Sequence, residues 1–233
     1  MCNRCFPLCF ALELTLVLAC VPAAADIGEA LMPGRVVYGN AQRTTDAEVK
    51  GLASHAEVED LRLARCRITD AGLEYLKGMK KLRLLELSDT KITDAGLKQL
   101  QLQSHPELKY LWIDGTRVTD AGLQYVARMP SVQSLAIGGR IGDAGLKHLA
   151  GTGLLSLYIG DNDRVTDTGL GYVAQMPDLW QFLLKRNHHI TDVGVRSLRR
   201  LKRLSELTLC GDRITNAGLK KAEVSATKSR EDG

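Results

Sequence analysis

One six-residue phrase returns seven times and sets out a regular row of carboxylates. "ITDAGL" stands at 68–73 and 92–97, followed by "VTDAGL" at 118–123, "IGDAGL" at 141–146, "VTDTGL" at 165–170, "ITDVGV" at 190–195 and "ITNAGL" at 214–219. Asp70, Asp94, Asp120, Asp143, Asp167 and Asp192 are the raw material for a metal array or for paired acid–base chemistry. The competing reading is structural. A Thr-Asp pair just ahead of apolar residues caps a helix, accepting its first free N–H groups and meeting its dipole. Capping accounts for all six carboxylates at once, so we read the row as helix starts.

The second candidate for chemistry is His188-His189, in a turn beside Asp161, Asn162 and Asp163 of one copy and Asp212 of the next. Imidazole, carboxylate and amide ligands could meet there on one edge. Neither the spacing nor the ligand count matches a known metal motif, which favours solvated turn residues. His55, His105 and His148 are isolated and read as structural or surface. No G-x-S-x-G, H-E-x-x-H, Walker loop, dinucleotide turn or EF-hand loop occurs. Accordingly no catalytic residue, cofactor or metal ligand is assigned.

Four of the six cysteines, Cys2, Cys5, Cys9 and Cys20, lie in an opening segment unlike the rest of the chain. Residues 1–25 carry Arg4, a run apolar apart from Glu13, and the small residues Ala23, Ala24 and Ala25 ahead of Asp26. This reads as a cleaved export signal. An uncleaved anchor, a lipoprotein signal and a misplaced start codon are the alternatives, Glu13 being costly within an apolar span. The C-x-x-C at Cys2 and Cys5 then belongs to the signal. Cys66 and Cys210 remain, six repeats or about 29 Å apart at about 4.8 Å per strand, too far to bridge within one molecule.

The elements that must position these residues follow from the period. The motif glycines, Gly72, Gly96, Gly122, Gly145, Gly169, Gly194 and Gly218, are spaced by 24, 26, 23, 24, 25 and 24 residues. A period in the twenties marks a solenoid. Between the helix starts runs L-x-x-L-x-L, as in Leu82/Leu85/Leu87, Leu108/Leu111/Ile113 and Leu154/Leu157/Ile159. Alternation over so short a run predicts a strand with one buried face. Each unit is thus a strand, a turn, a cap and a short helix, stable only beside its copies. "RTTDAEVKGL" at 43–52 keeps this register with Glu48 in the glycine position and reads as a worn first repeat or cap. Residues 26–42 read as a linker or N-terminal cap, and 223–233 as a polar tail.

L-x-x-L-x-L followed by x-x-[NC]-x-[IV] resembles the leucine-rich repeat, and the "ITDAGL" continuation resembles its cysteine-containing subtype, found in F-box proteins and in many secreted bacterial proteins. Cys66 takes the subtype's Cys/Asn position, which Thr90, Thr116, Asn162, Asn187 and Asp212 fill elsewhere. The resemblance spans about residues 43–222. It implies an α/β fold: a right-handed solenoid of seven to eight units with a parallel sheet on the concave side and helices on the convex side. For function it implies a binding surface, since one fold hosts many tasks.

Composition is that of a globular chain, 45% hydrophobic and 25% charged, with net charge +4. No polybasic run or basic–aromatic stripe is read in it, so nucleic acid is not expected as a partner. Strand alternation turns three columns outward on the sheet. The middle of that face collects Leu84, Tyr110, Trp112, Tyr158 and Leu183, with a shallow slot over Ala136 between Trp112 and Tyr158. Rigid aromatics around small residues describe a hot spot for a protein or peptide ligand. The sequence therefore predicts an exported, non-enzymatic binding module, reaching a membrane only through an uncleaved N-terminal segment. The alternatives are an F-box-like adaptor for ubiquitin ligation, although no F-box is recognisable before residue 43, and a metal-dependent surface at His188-His189.

Overall fold

The computed structural model describes residues 36–40, 43–211, 213–215 and 218. The signal at 1–25, the start of the linker, Asp212 and the tail at 223–233 lie outside the described residues. Eight strands form one parallel sheet in sequence order. They are β1 (Val36–Tyr38), β2 (Asp60–Arg62), β3 (Leu84–Glu86), β4 (Tyr110–Trp112), β5 (Ser134–Ile137), β6 (Ser156–Ile159), β7 (Gln181–Leu184) and β8 (Glu206–Leu209). Between them run α1 (Asp46–Gly51), α2 (Asp70–Leu73), α3 (Asp94–Gln103), α4 (Leu123–Val126), α5 (Asp143–Leu149), α6 (Asp167–Val173) and α7 (Asp192–Ser197), several continued or preceded by a 3-10 turn. This is the repeat solenoid that the period predicts. Among the described residues no helix is long and apolar enough to cross a membrane.

The sheet starts one strand earlier than the sequence reading placed it. Val36–Tyr38 pairs in register with Asp60–Arg62, inside the stretch read as linker or cap. Gly39 hid this strand by standing where Leu63 stands one unit later. A Cβ at Gly39 would lie 2.7 Å from Cys66 Sγ and 2.8 Å from Leu63 Cδ2, so this place admits no side chain.

One continuous core fills the space between sheet and helices. From each strand the inward residue, Val37, Leu61, Leu85, Leu111, Leu135, Leu157, Phe182 and Leu207, is at most 1% exposed. It meets the helix leucines Leu73, Leu97, Leu123, Leu146 and Leu170, all equally buried. Because helices of four to ten residues are too short to be stable alone, this shared burial holds them.

The carboxylate row has a different use from the one expected. Capping falls to threonine: Thr69, Thr93, Thr166 and Thr191 each accept, through Oγ1, the N–H two residues ahead. The aspartates reach instead into the next repeat. Asp70 Oδ1 accepts the Thr93 N–H at 2.8 Å and its Oδ2 accepts the Thr93 hydroxyl at 2.6 Å. The same double bond joins Asp46 to Thr69, Asp94 to Thr119, Asp143 to Thr166, Asp167 to Thr191 and Asp192 to Thr215. The exception is Asp120, which receives the Gly142 N–H alone, because Gly142 replaces the threonine.

This bridge explains the motif glycine. A Cβ at Gly72 would lie 2.5 Å from Asp46 Oδ1, and one at Gly145 2.6 Å from Asp120 Oδ1. The close approach is thus to the preceding unit's carboxylate. It also explains Glu48. Helix α1 is the first described helix, with no described carboxylate against its glycine position, and Glu48 there completes a capping box with Thr45.

The buried turn position follows a second pattern. Asn187 donates to Asn162 O and Val165 O and accepts from the His189 and Ile190 N–H groups, so its amide is fully used at 1% exposure. Asn162 repeats this one unit earlier. Thr90 donates only to a carbonyl of its own unit, and Thr116 donates to Ile113 O and accepts the Val118 N–H, also within its unit. Cys66 is buried, its thiol pushed up to about 11 by burial, and it forms no disulfide with the half-buried Cys210.

A hydrogen bond to a charged group contributes about 1.5–3 kcal/mol, and with water reaching both partners the low end applies, so Asp94→Ala, losing two, should destabilise by about 3 kcal/mol. Asp120→Ala, with one bond to lose, should cost about half of that. Urea midpoints of the two variants check the order.

Candidate functional site: the outer face of the sheet

Register places the outward residues in rows across the strands. One row runs Asp60, Leu84, Tyr110, Ser134, Ser156, Gln181 and Glu206, and the next Tyr38, Arg62, Glu86, Trp112, Ala136, Tyr158, Leu183 and Thr208. The five residues predicted as anchors therefore share this face, but they are not equally available. Tyr110 is 39% exposed and Trp112, Tyr158 and Leu183 are half-buried, whereas Leu84 is only 7% exposed between Asp60 and Tyr110. Leu84 is therefore part of the floor.

At the expected slot, Ala136 is 8% and Ser134 7% exposed, so both belong to its floor. Trp112 lies across Glu86 toward Arg62, its ring 5.6 Å from the guanidinium carbon. Tyr38 closes on the other side at 5.7 Å. Arg62 is thus held between two rings, a cation–π arrangement that gains strength as water is excluded. Its Nε is buried without a hydrogen-bond partner among the described residues, and its nearest carboxylate, Glu86, stands 3.9 Å away.

Burial dominates the ionisation of this face. It pushes the Glu86 and Asp60 carboxyls above their usual range, with Arg62 pulling each back in part. It also carries the Tyr158 phenol up to about 12, with Asp114 and Asp161 adding to the effect. Toward β8 the face turns polar: Ser156 Oγ donates to Gln181 Oε1 at 2.6 Å and Gln181 Nε2 to Glu206 Oε2 at 2.6 Å.

The sequence reading missed two exposed aromatics. Tyr38, 41% exposed, lay in the presumed linker, and Trp180, 39% exposed, precedes β7 at the edge where strands begin. Aligning "VVYGN" with the later units would have found Tyr38; position in the repeat alone did not mark Trp180.

The His188-His189 edge does not assemble as a ligand set. Both imidazoles are exposed, the Asp161 carboxylate is held by Arg186, and Asp163 Oδ1 accepts the His188 N–H at 3.3 Å. Asp212 lies outside the described residues. Among the described residues no three His, Cys, Asp or Glu are grouped for a metal. His105 is a structural residue, buried between Met79 O and Gln103 Oε1 at the end of α3.

Two measurements follow. A carboxyl whose folded pKa is raised binds its proton longer in the native state, so stability falls as pH rises above the ordinary value of 4.5. Glu86→Gln should therefore raise the urea midpoint at neutral pH and leave it unchanged well below pH 4.5. Zinc or calcium should leave the melting temperature where it is, since a specific site would raise it by mass action.

Residues 58–77 and 78–100 match the family model described as Leucine Rich repeat. Among curated proteins none matches the chain. Among solved structures the chain is similar to an internalin from Listeria monocytogenes, at 17% identity over 80% of this chain and 78% of that one. The TM-score is 0.32. The two matched units are leucine-rich repeats, and the eight strands stacked in one register show the same solenoid plan carried through the described residues.

Proposed function

We propose that the protein is a non-enzymatic binding module whose outer sheet face takes a protein or peptide ligand. The observation that carries this reading is the exposure on one face of Tyr38, Tyr110, Trp112, Tyr158 and Leu183, on a floor of Leu84, Ser134 and Ala136. Aromatics are large contact surfaces that lose little conformational freedom on binding. Here two of them, Tyr38 and Trp112, also hold Arg62 between their rings. A rigid, half-desolvated surface of this kind lowers the ordering cost of association. Repeat stacking supplies a broad, shallow surface suited to an extended partner. Export through residues 1–25 is part of the same proposal and places that partner outside the cytoplasm.

The test is a pull-down from the extracellular or periplasmic fraction of the native source with three baits of equal melting temperature. These are wild type, Tyr110→Ala/Tyr158→Ala, and the helix-side control Lys147→Ser. A protein recovered by wild type and control but lost at least tenfold by the double variant supports the face. Identical recovery by all three baits removes it.

A further inference from the structure

The corner formed by α7, the turn after it and the start of β8 carries an unbalanced charge. From Val193 to Ser205 the chain holds Arg196, Arg199, Arg200, Lys202 and Arg203 and no carboxylate. Interruptions by Ser197, Leu198 and Leu201 disguised the cluster in the sequence; in the structure all five cations are exposed and the two leucines are buried. The nearby carboxylates are engaged. Asp178 accepts from Arg203 at 2.6 Å, Asp192 holds Thr215, and Glu206 accepts from Gln181 on the outer sheet face. Only the first is ion-paired with the cluster; hydrogen bonds from neutral donors leave the Asp192 and Glu206 charges in place, so five cations stand against three carboxylates at this corner. Among the described residues Arg196, Arg199, Arg200 and Lys202 form no ion pair.

Trp180, 39% exposed, stands at the start of the strand next to the cluster's turn. The Ser205 and Glu206 N–H groups both donate to Trp180 O, at 2.9 and 3.0 Å, and the Arg203–Asp178 pair ties the two turns together. Leu155, half-buried, accepts the Trp180 N–H at the same edge. Cations beside an amphipathic ring suit a bilayer surface, where indole settles at headgroup level and cations meet the negative surface potential. Nucleic acid suits the corner less well. A phosphate chain is followed by cations along a groove, yet the neighbouring α6 surface offers Thr168, Gly171, Tyr172 and Gln175 and no cation.

We propose that this corner docks the solenoid on an anionic membrane surface, with Arg196, Arg199, Arg200 and Lys202 against lipid phosphates and Trp180 in the headgroup layer. The site is separate from the outer sheet face and does not depend on the ligand proposed for it.

The experiment is vesicle co-sedimentation of the full chain, with neutral phosphatidylcholine vesicles and with vesicles holding roughly one quarter phosphatidylglycerol. The readout is the ratio of the two partition coefficients, which separates charge-driven docking from any insertion by the apolar segment 1–25. With about a fivefold gain per cation near the surface, the wild-type ratio should reach about 100 or more at low salt and collapse at about 1 M salt, where the screening length is about 3 Å. Arg199→Glu/Arg200→Glu/Lys202→Glu should bring the ratio to near one with unchanged melting. Trp180→Ala should lower anionic-vesicle binding several-fold while keeping its salt dependence, and Tyr110→Ala/Tyr158→Ala should leave it intact. A wild-type ratio near one overturns the proposal, as does full binding by the triple Glu variant. So does tighter capture of heparin or of an oligonucleotide than of the anionic vesicles.

Discussion

Each repeat is fastened to the next by a carboxylate that belongs to one helix and is used by another. The aspartate opening a helix takes both the N–H and the hydroxyl of the following unit's threonine, and at Thr69, Thr93, Thr166 and Thr191 that hydroxyl in turn caps its own helix. One side chain therefore satisfies two donors at the next helix start and sets the spacing between neighbours. Six such double bonds and one single bond run through the described residues. Since each contact is between adjacent units, stability accumulates pair by pair.

The rest of the motif follows from this bond. Glycine stands two residues after the aspartate because the previous unit's carboxylate occupies the space of its Cβ. Where no described carboxylate precedes, at α1, glutamate takes that place and caps the helix instead. The weakest junction, at Gly142, coincides with the shortest spacing, 23 residues between Gly122 and Gly145. There the Gly138-Gly139 turn passes so near its neighbours that added Cβ atoms would sit 2.8 Å from Gly115 N and 2.6 Å from Asp161 O. Small residues let a shortened turn stay in the stack.

With the helices fastened on one side, the sheet is left to meet other molecules on its opposite face. Neighbouring strands decide what that face looks like: Trp112 and Tyr38 meet the Arg62 guanidinium, and Ala136 lies low between its neighbours. The outcome is a nearly flat aromatic surface with partly desolvated carboxylates at its margin, and a polar Ser156–Gln181–Glu206 relay at the far end. Charge is distributed differently on the helix side, where the last described unit concentrates cations beside Trp180.

Fold class and the outer-face rows from Asp60 and Arg62 onward were legible in the sequence, because period and alternation are local properties repeated seven times. The position of Thr69 or Thr93 as a cap was legible for the same reason. The partner of each aspartate was not, since its acceptor oxygens are filled from 22 to 25 residues away, across a stack that only folding creates. Nor was β1, whose pattern residue is replaced by Gly39 against Cys66 and Leu63. Leu84 and Ala136 could be assigned to the outer face by alternation, but their burial depends on what neighbouring strands lay over them. The sequence by itself determined which residues share a face and which start a helix. Tertiary structure decided which of them remain exposed and to which neighbour each carboxylate is bonded, because both depend on side chains meeting across repeats.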